Sequence, residues 1–316
     1  MNPSACNAQA YFLVGPTAAG KTTVAQRLAE SMGADILSAD SMLVYQGMNI
    51  GTAKPSAAEQ SRVRYWGLDL VEPSESFSVA RFIQEARRCF ESARERGVTV
   101  IIAGGTGLYI KALLNGLDEL PDPSPEIRAR WQAVLERDGV EGLRTALAAR
   151  NPAWLQVLAD PSNSRRLMRA LELMDSGFSE PPQSWGKRSR ESWVTGLEVP
   201  RDVLIQRIEL RVNEMYAAGL LNETQALMAR YGALSETAAG AIGYAEAMSC
   251  LKGTLSRAAA VQLTIQRTRQ LAKRQMTWFR HQMRVFWVPV AGIDLDALVA
   301  KVAEDWMQHG PQSVVC

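Results

Sequence analysis

An octapeptide near the start of the chain, Gly15-Pro16-Thr17-Ala18-Ala19-Gly20-Lys21-Thr22, limits the fold more than any other feature. Its spacing is the G-x-x-x-x-G-K-[ST] pattern of a phosphate loop. Such a loop works between a buried strand and the first turn of a helix, where backbone N–H groups close on phosphate oxygens. Both flanks are present. "AYFLVG" is a continuous apolar run ending in Gly, as a buried parallel strand should be. "TTVAQRLAESM" carries Val24, Leu28 and Met32 at helical spacing. Lys21 supplies a point charge, the Thr22 hydroxyl suits Mg2+, and Thr23 completes the cradle.

Further strands follow in "ADILSAD" and "VTVIIAGG", the latter preceded by the helix-like "VARFIQEARRCFESARERG"; "WVTGLEVP" and "RVFWVPV" come later. Strands alternating with helices predict an α/β fold, a P-loop doubly wound, mostly parallel sheet. The pattern is interrupted at "LDELPDPSPE", a Pro- and acid-rich boundary; helix-like sequence then runs from Glu126 to about Gly177. "FSEPPQSWGKRSRES" is a second breaker-rich, basic stretch. The expected organisation is a discontinuous core, residues 1–119 and 193–316, with a helical insertion over 120–192.

Composition narrows the chemistry. With two His and four widely spaced Cys among 316 residues, a His-based metal site, a zinc framework or a Ser-His-Asp triad has little material. No apolar run could span a bilayer, and the N-terminus lacks the basic flank of a signal peptide, so a cytoplasmic monomer is expected. Net charge is only +2, yet no acid lies between Ala247 and Ile293, where Lys252, Arg257, Arg267, Arg269, Lys273, Arg274, Arg280 and Arg284 cluster. That is either an electrostatic footprint for nucleic acid or a solvated face balanced from elsewhere.

Three further segments are candidate site elements. Asp40 follows the second strand at its carboxyl end, where open α/β sheets gather ligands, but an Asp after a strand also commonly caps a turn. The third strand ends in Gly104-Gly105-Thr106, where a nucleotide hydrolase often places a magnesium-binding Asp. The glycines make either a donor-rich turn beside the phosphate loop or a tight turn with no ligand. In "QRTRQLAKRQMTWFR", Arg269, Lys273, Arg280 and Arg284 share a helical face, with Arg267 and Arg274 nearly opposite, beside Leu271 and Trp278. No clean apolar face is expected on that helix, which suits contact with RNA or pyrophosphate.

Together, "GPTAAGKT", "SADSMLVYQGMNIGTAKPS", "GGTGLYIKALLNGL", "RRLMRALEL", "IGY" and "TRQLAKRQMTWFR" resemble the bacterial tRNA dimethylallyltransferases (tRNA isopentenylpyrophosphate transferases), in order from Gly15 to Arg280. The resemblance implies transfer of a dimethylallyl group from dimethylallyl diphosphate, with Mg2+, to N6 of the adenosine at tRNA position 37. The acceptors would be tRNAs that read codons beginning with U. It makes Asp40 the general base, places Thr106 against the same adenosine, and gives the phosphate loop a diphosphate to hold. It assigns the anticodon stem-loop to Asp40, Ser41, Met42, Leu43, Arg128, Arg165, Arg166, Leu167, Met168 and Arg169. It adds Lys273, Arg274, Gln275, Met276, Thr277, Trp278, Phe279 and Arg280. Arg207 and Arg211 are further candidates for pyrophosphate or RNA.

The chain departs from the family pattern at Tyr65 and Trp66, where His is common, and at Gly240 and Ala245, which offer no side-chain contacts to RNA. "PSNSRR" likewise replaces an Asn-Asp-Pro-type segment. Three alternatives share the loop, one of them a non-enzymatic RNA-binding nucleotide switch, which would leave a catalytic base idle. An adenylate dimethylallyltransferase would keep Asp40 but would not need the insertion or the basic helix. A small-molecule P-loop kinase would need phosphate-transfer machinery, against which the Gly-Gly-Thr ending argues.

Overall fold

The computed structural model describes residues 8–118, 120–122, 124–158, 160–182 and 192–315. Cys6, Cys316 and residues 183–191 of the second breaker-rich stretch lie outside them. In chain order the first elements are β1 (Ala8–Val14), α1 (Lys21–Met32), β2 (Asp35–Ala39), α2 (Ala57–Arg62), β3 (Tyr65–Trp66), α3 (Val79–Arg96), β4 (Val100–Gly104) and α4 (Gly107–Asn115). Next come α5 (Pro125–Arg150), α6 (Ala153–Val157) and α7 (Ser164–Asp175). The chain continues with β5 (Val194–Glu198), α8 (Arg201–Ala217), α9 (Leu220–Tyr231), α10 (Glu236–Ala239), α11 (Tyr244–Leu251) and α12 (Arg257–Gln282). It closes with β6 (Val285–Pro289), α13 (Leu295–His309) and β7 (Gln312–Val314).

Six strands are parallel in the order β3-β2-β4-β1-β5-β6, and β7 pairs antiparallel with the first residues of β1. The doubly wound, mostly parallel sheet predicted from the βα alternation is therefore present. Successive side chains of a strand point to opposite faces. Ala10, Phe12 and Val14 accordingly pack with Phe82 and Phe90 of α3 and Leu113 of α4, while Leu13 packs with Leu28 of α1 and Val302 and Trp306 of α13. Both faces of β1 are covered by helices, which is why its sequence reads as a continuous apolar run. β3 and β7, at two and three residues, are too short to show any period in the sequence.

The described residues form two compact units. One lies within Met1–Gly116 and Ser189–Cys316, the other within Leu117–Arg188. The first carries, beside its sheet, a helical cluster in which Tyr45 and Met48 pack with Val212 of α8, Leu220 of α9, Tyr244 of α11 and Ala272 of α12. The second has its own core of Trp131, Leu143, Leu147, Trp154, Leu167 and Leu171. Its long helix α5 starts at a Ser124 cap followed by Pro125, and it breaks at Gly139, whose φ of 68° lies outside helical geometry.

The expectation that the basic helix lacks an apolar face is corrected. Ala260, Thr264, Ile265, Ala272 and Phe279 of α12 are buried. The stripe escaped notice because Ala and Thr carry little hydrophobicity, yet small residues are what let helices approach closely. The helix also ends at Gln282, so Arg284 lies beyond it.

Candidate functional site

Strand register assembles the site. Val14 of β1 pairs with Gly104 of β4, which pairs in turn with Ala39 of β2. Gly15, Gly105 and Asp40 are each the next residue, so the phosphate loop, the glycine turn and the acid leave three neighbouring parallel strands abreast at their carboxyl ends. Open α/β sheets bind ligands at this edge. A cleft of about 520 Å³ opens there, lined by Thr17 to Thr23, Asp40, Leu43, Thr52, Lys54, Gly104, Arg207, Arg211 and Gln275, among others. Gly15 and Pro16 do not line it. Gly15 instead lets the strand end pass Leu197, whose carbonyl would lie 3.0 Å from any added Cβ.

The loop turns through left-handed residues at Ala18 (φ 63°) and Gly20 (φ 94°), and no side chain caps the start of α1. The first N–H groups of that helix are thus left for an anion, which its dipole also favours. Three cations face the same space. Lys21 Nζ donates to Pro16 O at 2.7 Å; burial lowers its pKa to about 8, opposed by Asp40 and reinforced by Arg211. Burial also lowers the pKa of Arg211, against the pull of Asp40 and Glu214. Arg211 Nη2 donates to Thr52 O at 3.3 Å, and Arg207 Nη1 to Ala19 O at 3.5 Å. No acid lies within ion-pair distance of either arginine among the described residues. Half-buried cations that make no ion pair favour an anion that completes the site.

Asp40 combines both roles that its position allowed. Its Oδ1 accepts from Met42 N at 2.9 Å, the turn-capping contact, while Oδ2 accepts no hydrogen bond among the described residues. Thr106 is at the N-cap position of α4, is absent from the cleft lining, and steadies the same turn: its Oγ1 accepts from Ser41 N at 3.0 Å. Ser41 and Met42 are half-buried beside it. Sequence reasoning missed two neighbours. Tyr109 has its phenol pKa pushed up by burial and by the charge of Asp40. Lys54 donates to Tyr45 O at 2.7 Å and to Asp69 Oδ1 at 2.5 Å, with its side chain 3% exposed. Both sit inside quoted motifs, "GGTGLY" and "GTAKP", but nothing local distinguished them from core residues.

The glycine turn needs its glycines chiefly for packing. A Cβ at Gly105 would collide with the amide of Gln275, and one at Gly107 with the ring of Trp278. On α12 the residues assigned to RNA divide. Lys273, Arg274, Thr277 and Arg280 are exposed, Met276 and Trp278 half-buried, and Gln275 turns inward to the phosphate loop. Phe279 is fully buried in the sheet core, so its assignment to RNA is corrected: the ring is committed to packing. The cation cluster is also partly balanced, by Arg267 with the buried Glu246, Arg269 with Glu209, and Arg280 with Glu198 at 2.8 Å. Lys273 and Arg274 have no acidic partner among the described residues.

Within the insertion, Arg165 is exposed at the start of α7, Arg166 and Met168 are half-buried, and Arg169 donates to Pro121 O at 2.8 Å. Arg128 pairs with the buried Glu172 at 3.1 Å and stays 62% exposed, leaving part of its guanidinium open. Leu167 is fully buried in the insertion core, which corrects its assignment to RNA: only its helix neighbours reach solvent. The family departures find local partners. Tyr65 Oη donates to Gln26 Oε1 at 2.5 Å, and Trp66 Nε1 to Asp35 Oδ2 at 2.8 Å. Gly240 O accepts from Arg267 at 3.2 Å.

Fold and cleft define a P-loop-type α/β protein, with a cationic cradle that makes no ion pair among the described residues on one strand end and an acid two strands away. The family model described as "IPP transferase" matches residues 43–282, and the chain belongs to that family. It is 39% identical over 294 residues to a tRNA dimethylallyltransferase of Geobacter metallireducens, covering 91% of this chain and 94% of the relative. It is 40% identical over 295 residues to a namesake from Anaeromyxobacter dehalogenans, with coverage of 92% and 98%. The crystal structure of the full-length tRNA isopentenylpyrophosphate transferase from Bacillus halodurans superposes with a TM-score of 0.70 at 33% identity, covering 95% and 96%.

Proposed function

We propose that the protein transfers the dimethylallyl group of dimethylallyl diphosphate to N6 of the adenosine at tRNA position 37, beside the anticodon, in tRNAs that read codons beginning with U. The observation that carries this reading is one cleft holding both a cationic phosphate cradle and a carboxylate with an open oxygen. Exocyclic N6 is a poor nucleophile because its lone pair is delocalised into the ring. In the reaction N6 bonds to C1 of the allyl group, the bond from C1 to the diphosphate oxygen breaks with its electron pair, and the N6 proton passes to Asp40. Removal of that proton as attack proceeds is typically worth about 10²–10⁴-fold. Backbone N–H groups of the loop, Lys21, Arg207 and Arg211 stabilise the charge gathering on the diphosphate.

Mg2+ would be held here by the Thr22 hydroxyl, which lines the cleft, together with phosphate oxygens of the donor. When bound, it neutralises diphosphate charge. The acceptor base must be flipped from its stack to reach Asp40, with Thr106 holding the Asp40–Ser41 turn. Asp40 to Leu43, the open faces of Arg128, Arg165, Arg166, Met168 and Arg169, and Lys273, Arg274, Met276, Thr277, Trp278 and Arg280 are assigned to the anticodon stem-loop. The helical insertion, expected from the sequence over residues 120–192 and found as a compact unit within Leu117–Arg188, is assigned to gripping the tRNA. No helix among the described residues is long and apolar enough to cross a membrane, and a tRNA acceptor suits a cytoplasmic enzyme.

The test is incubation with labelled dimethylallyl diphosphate and Mg2+, offering undermodified tRNA or AMP. Label should enter tRNA only. Label in AMP alone would favour an adenylate acceptor, and ATP turnover without prenyl transfer a kinase. Asp40→Asn should bind tRNA normally and lose transfer; near-full activity would remove Asp40 as the base.

A further inference from the structure

Gln275 was grouped with the RNA contacts, but its side chain faces the other way. Its Oε1 accepts from Thr17 N, inside the phosphate loop, at 2.8 Å. Its Nε2 donates to Gly105 O, in the turn after β4, at 3.1 Å. One amide thus joins the two turns that leave adjacent strands, and Gly105 lacks a side chain where that amide sits. The helix that carries it is held on both sides, by Arg269 to Glu209 of α8 and by Arg280 to Glu198 of β5. α8 also carries Arg207 and Arg211. The two residues before Gln275, Lys273 and Arg274, are exposed.

We propose that Gln275 is a positioning residue of the donor site: its amide locks the Thr17 peptide to the Gly105 turn and ties the shape of the phosphate cradle to the helix whose outer face meets RNA. The proposal rests on reading the loop as a diphosphate cradle. An amide is suited to this position because it is neutral and both accepts and donates. A carboxylate can accept from Thr17 N but has no proton for Gly105 O, and it sets a negative charge beside the bound anion. A methionine of similar length makes neither bond and keeps the packing.

The experiment measures binding of inorganic diphosphate with Mg2+, by calorimetry, and of tRNA, by fluorescence anisotropy, on the full chain. Gln275→Glu should weaken diphosphate at least about tenfold, and Gln275→Met about three- to tenfold, the cost of lost and unpaired hydrogen bonds near charge. tRNA affinity should stay within about twofold in both, the scatter expected for an unperturbed surface. The deficit of Gln275→Glu relative to wild type should shrink as pH falls toward about 5, because a protonated carboxyl can again donate to Gly105 O. A purely structural role would leave that ratio flat. With dimethylallyl diphosphate as donor, the loss should appear in its KM more than in kcat. Diphosphate affinity unchanged in both variants would overturn the proposal. So would weakened tRNA binding with diphosphate intact, which would make Gln275 an RNA contact. Wild-type protein that binds diphosphate yet transfers nothing would refute the proposed reaction and leave this assignment standing.

Discussion

The lowered pKa of Lys21 makes donor binding pH-dependent, with a calculable size. Burial drives the ammonium toward neutrality, Arg211 adds to the effect, Asp40 opposes it, and the net value is about 8. Because the shift is downward, the charge is present below about pH 8 and is lost as pH rises through that value. A bound diphosphate supplies the missing counter-charge and keeps Lys21 protonated, so above pH 8 binding must also take up a proton. For a free-site pKa of 8, affinity falls by the ratio of (1 + 10^(pH − 8)) terms, about tenfold between pH 7 and pH 9, or about 1.4 kcal/mol. The assay is calorimetric titration with inorganic diphosphate and Mg2+ across that range, on wild type and Lys21→Met. The titration of the ligand is common to both proteins and cancels in their affinity ratio. That ratio should fall about tenfold from pH 7 to 9. Asp40→Asn should shift the fall to lower pH, since Asp40 holds the pKa of Lys21 up. A ratio that stays flat, or a limb that moves upward in Asp40→Asn, would refute the reasoning.

Charge on α12 and one buried acid give two further outcomes. Lys273→Glu with Arg274→Glu should weaken tRNA binding and flatten its dependence on salt by about one to two released counterions, while diphosphate affinity stays unchanged; anisotropy at several salt concentrations reads both. Arg267→Ala should destabilise the protein by about 3 kcal/mol in urea unfolding, because it strands Glu246, whose side chain is 1% exposed, without its cation.

What could be read along the chain was whatever depends on neighbours in sequence. The phosphate loop, the apolar strands covered on both faces and the helical period of the insertion all show as local patterns, because periodicity and turn chemistry act over a few residues. Family likeness then supplied chemistry that spacing alone left open, above all for Asp40. α12 shows where this stopped. Its composition suggested a helix without an apolar face, and only the packed structure shows Ala260, Thr264, Ala272 and Phe279 forming one.

The sequence by itself determined that a phosphate-loop pattern stands at the head of a βα unit and that an acid follows the next strand. Tertiary structure decided that cradle, acid and glycine turn meet, because β4 inserts between β1 and β2 and its register brings Gly15, Gly105 and Asp40 level. It also decided which cations remain available. Arg267, Arg269 and Arg280 pair with acids from 21 to 82 positions away, whereas Lys273, Arg274, Arg207 and Arg211 form no ion pair among the described residues, Arg211 feeling Asp40 and Glu214 only at longer range. The reason is physical: strand pairing and ion pairing are contacts between residues far apart in the chain, and no local pattern records which partners folding will bring together.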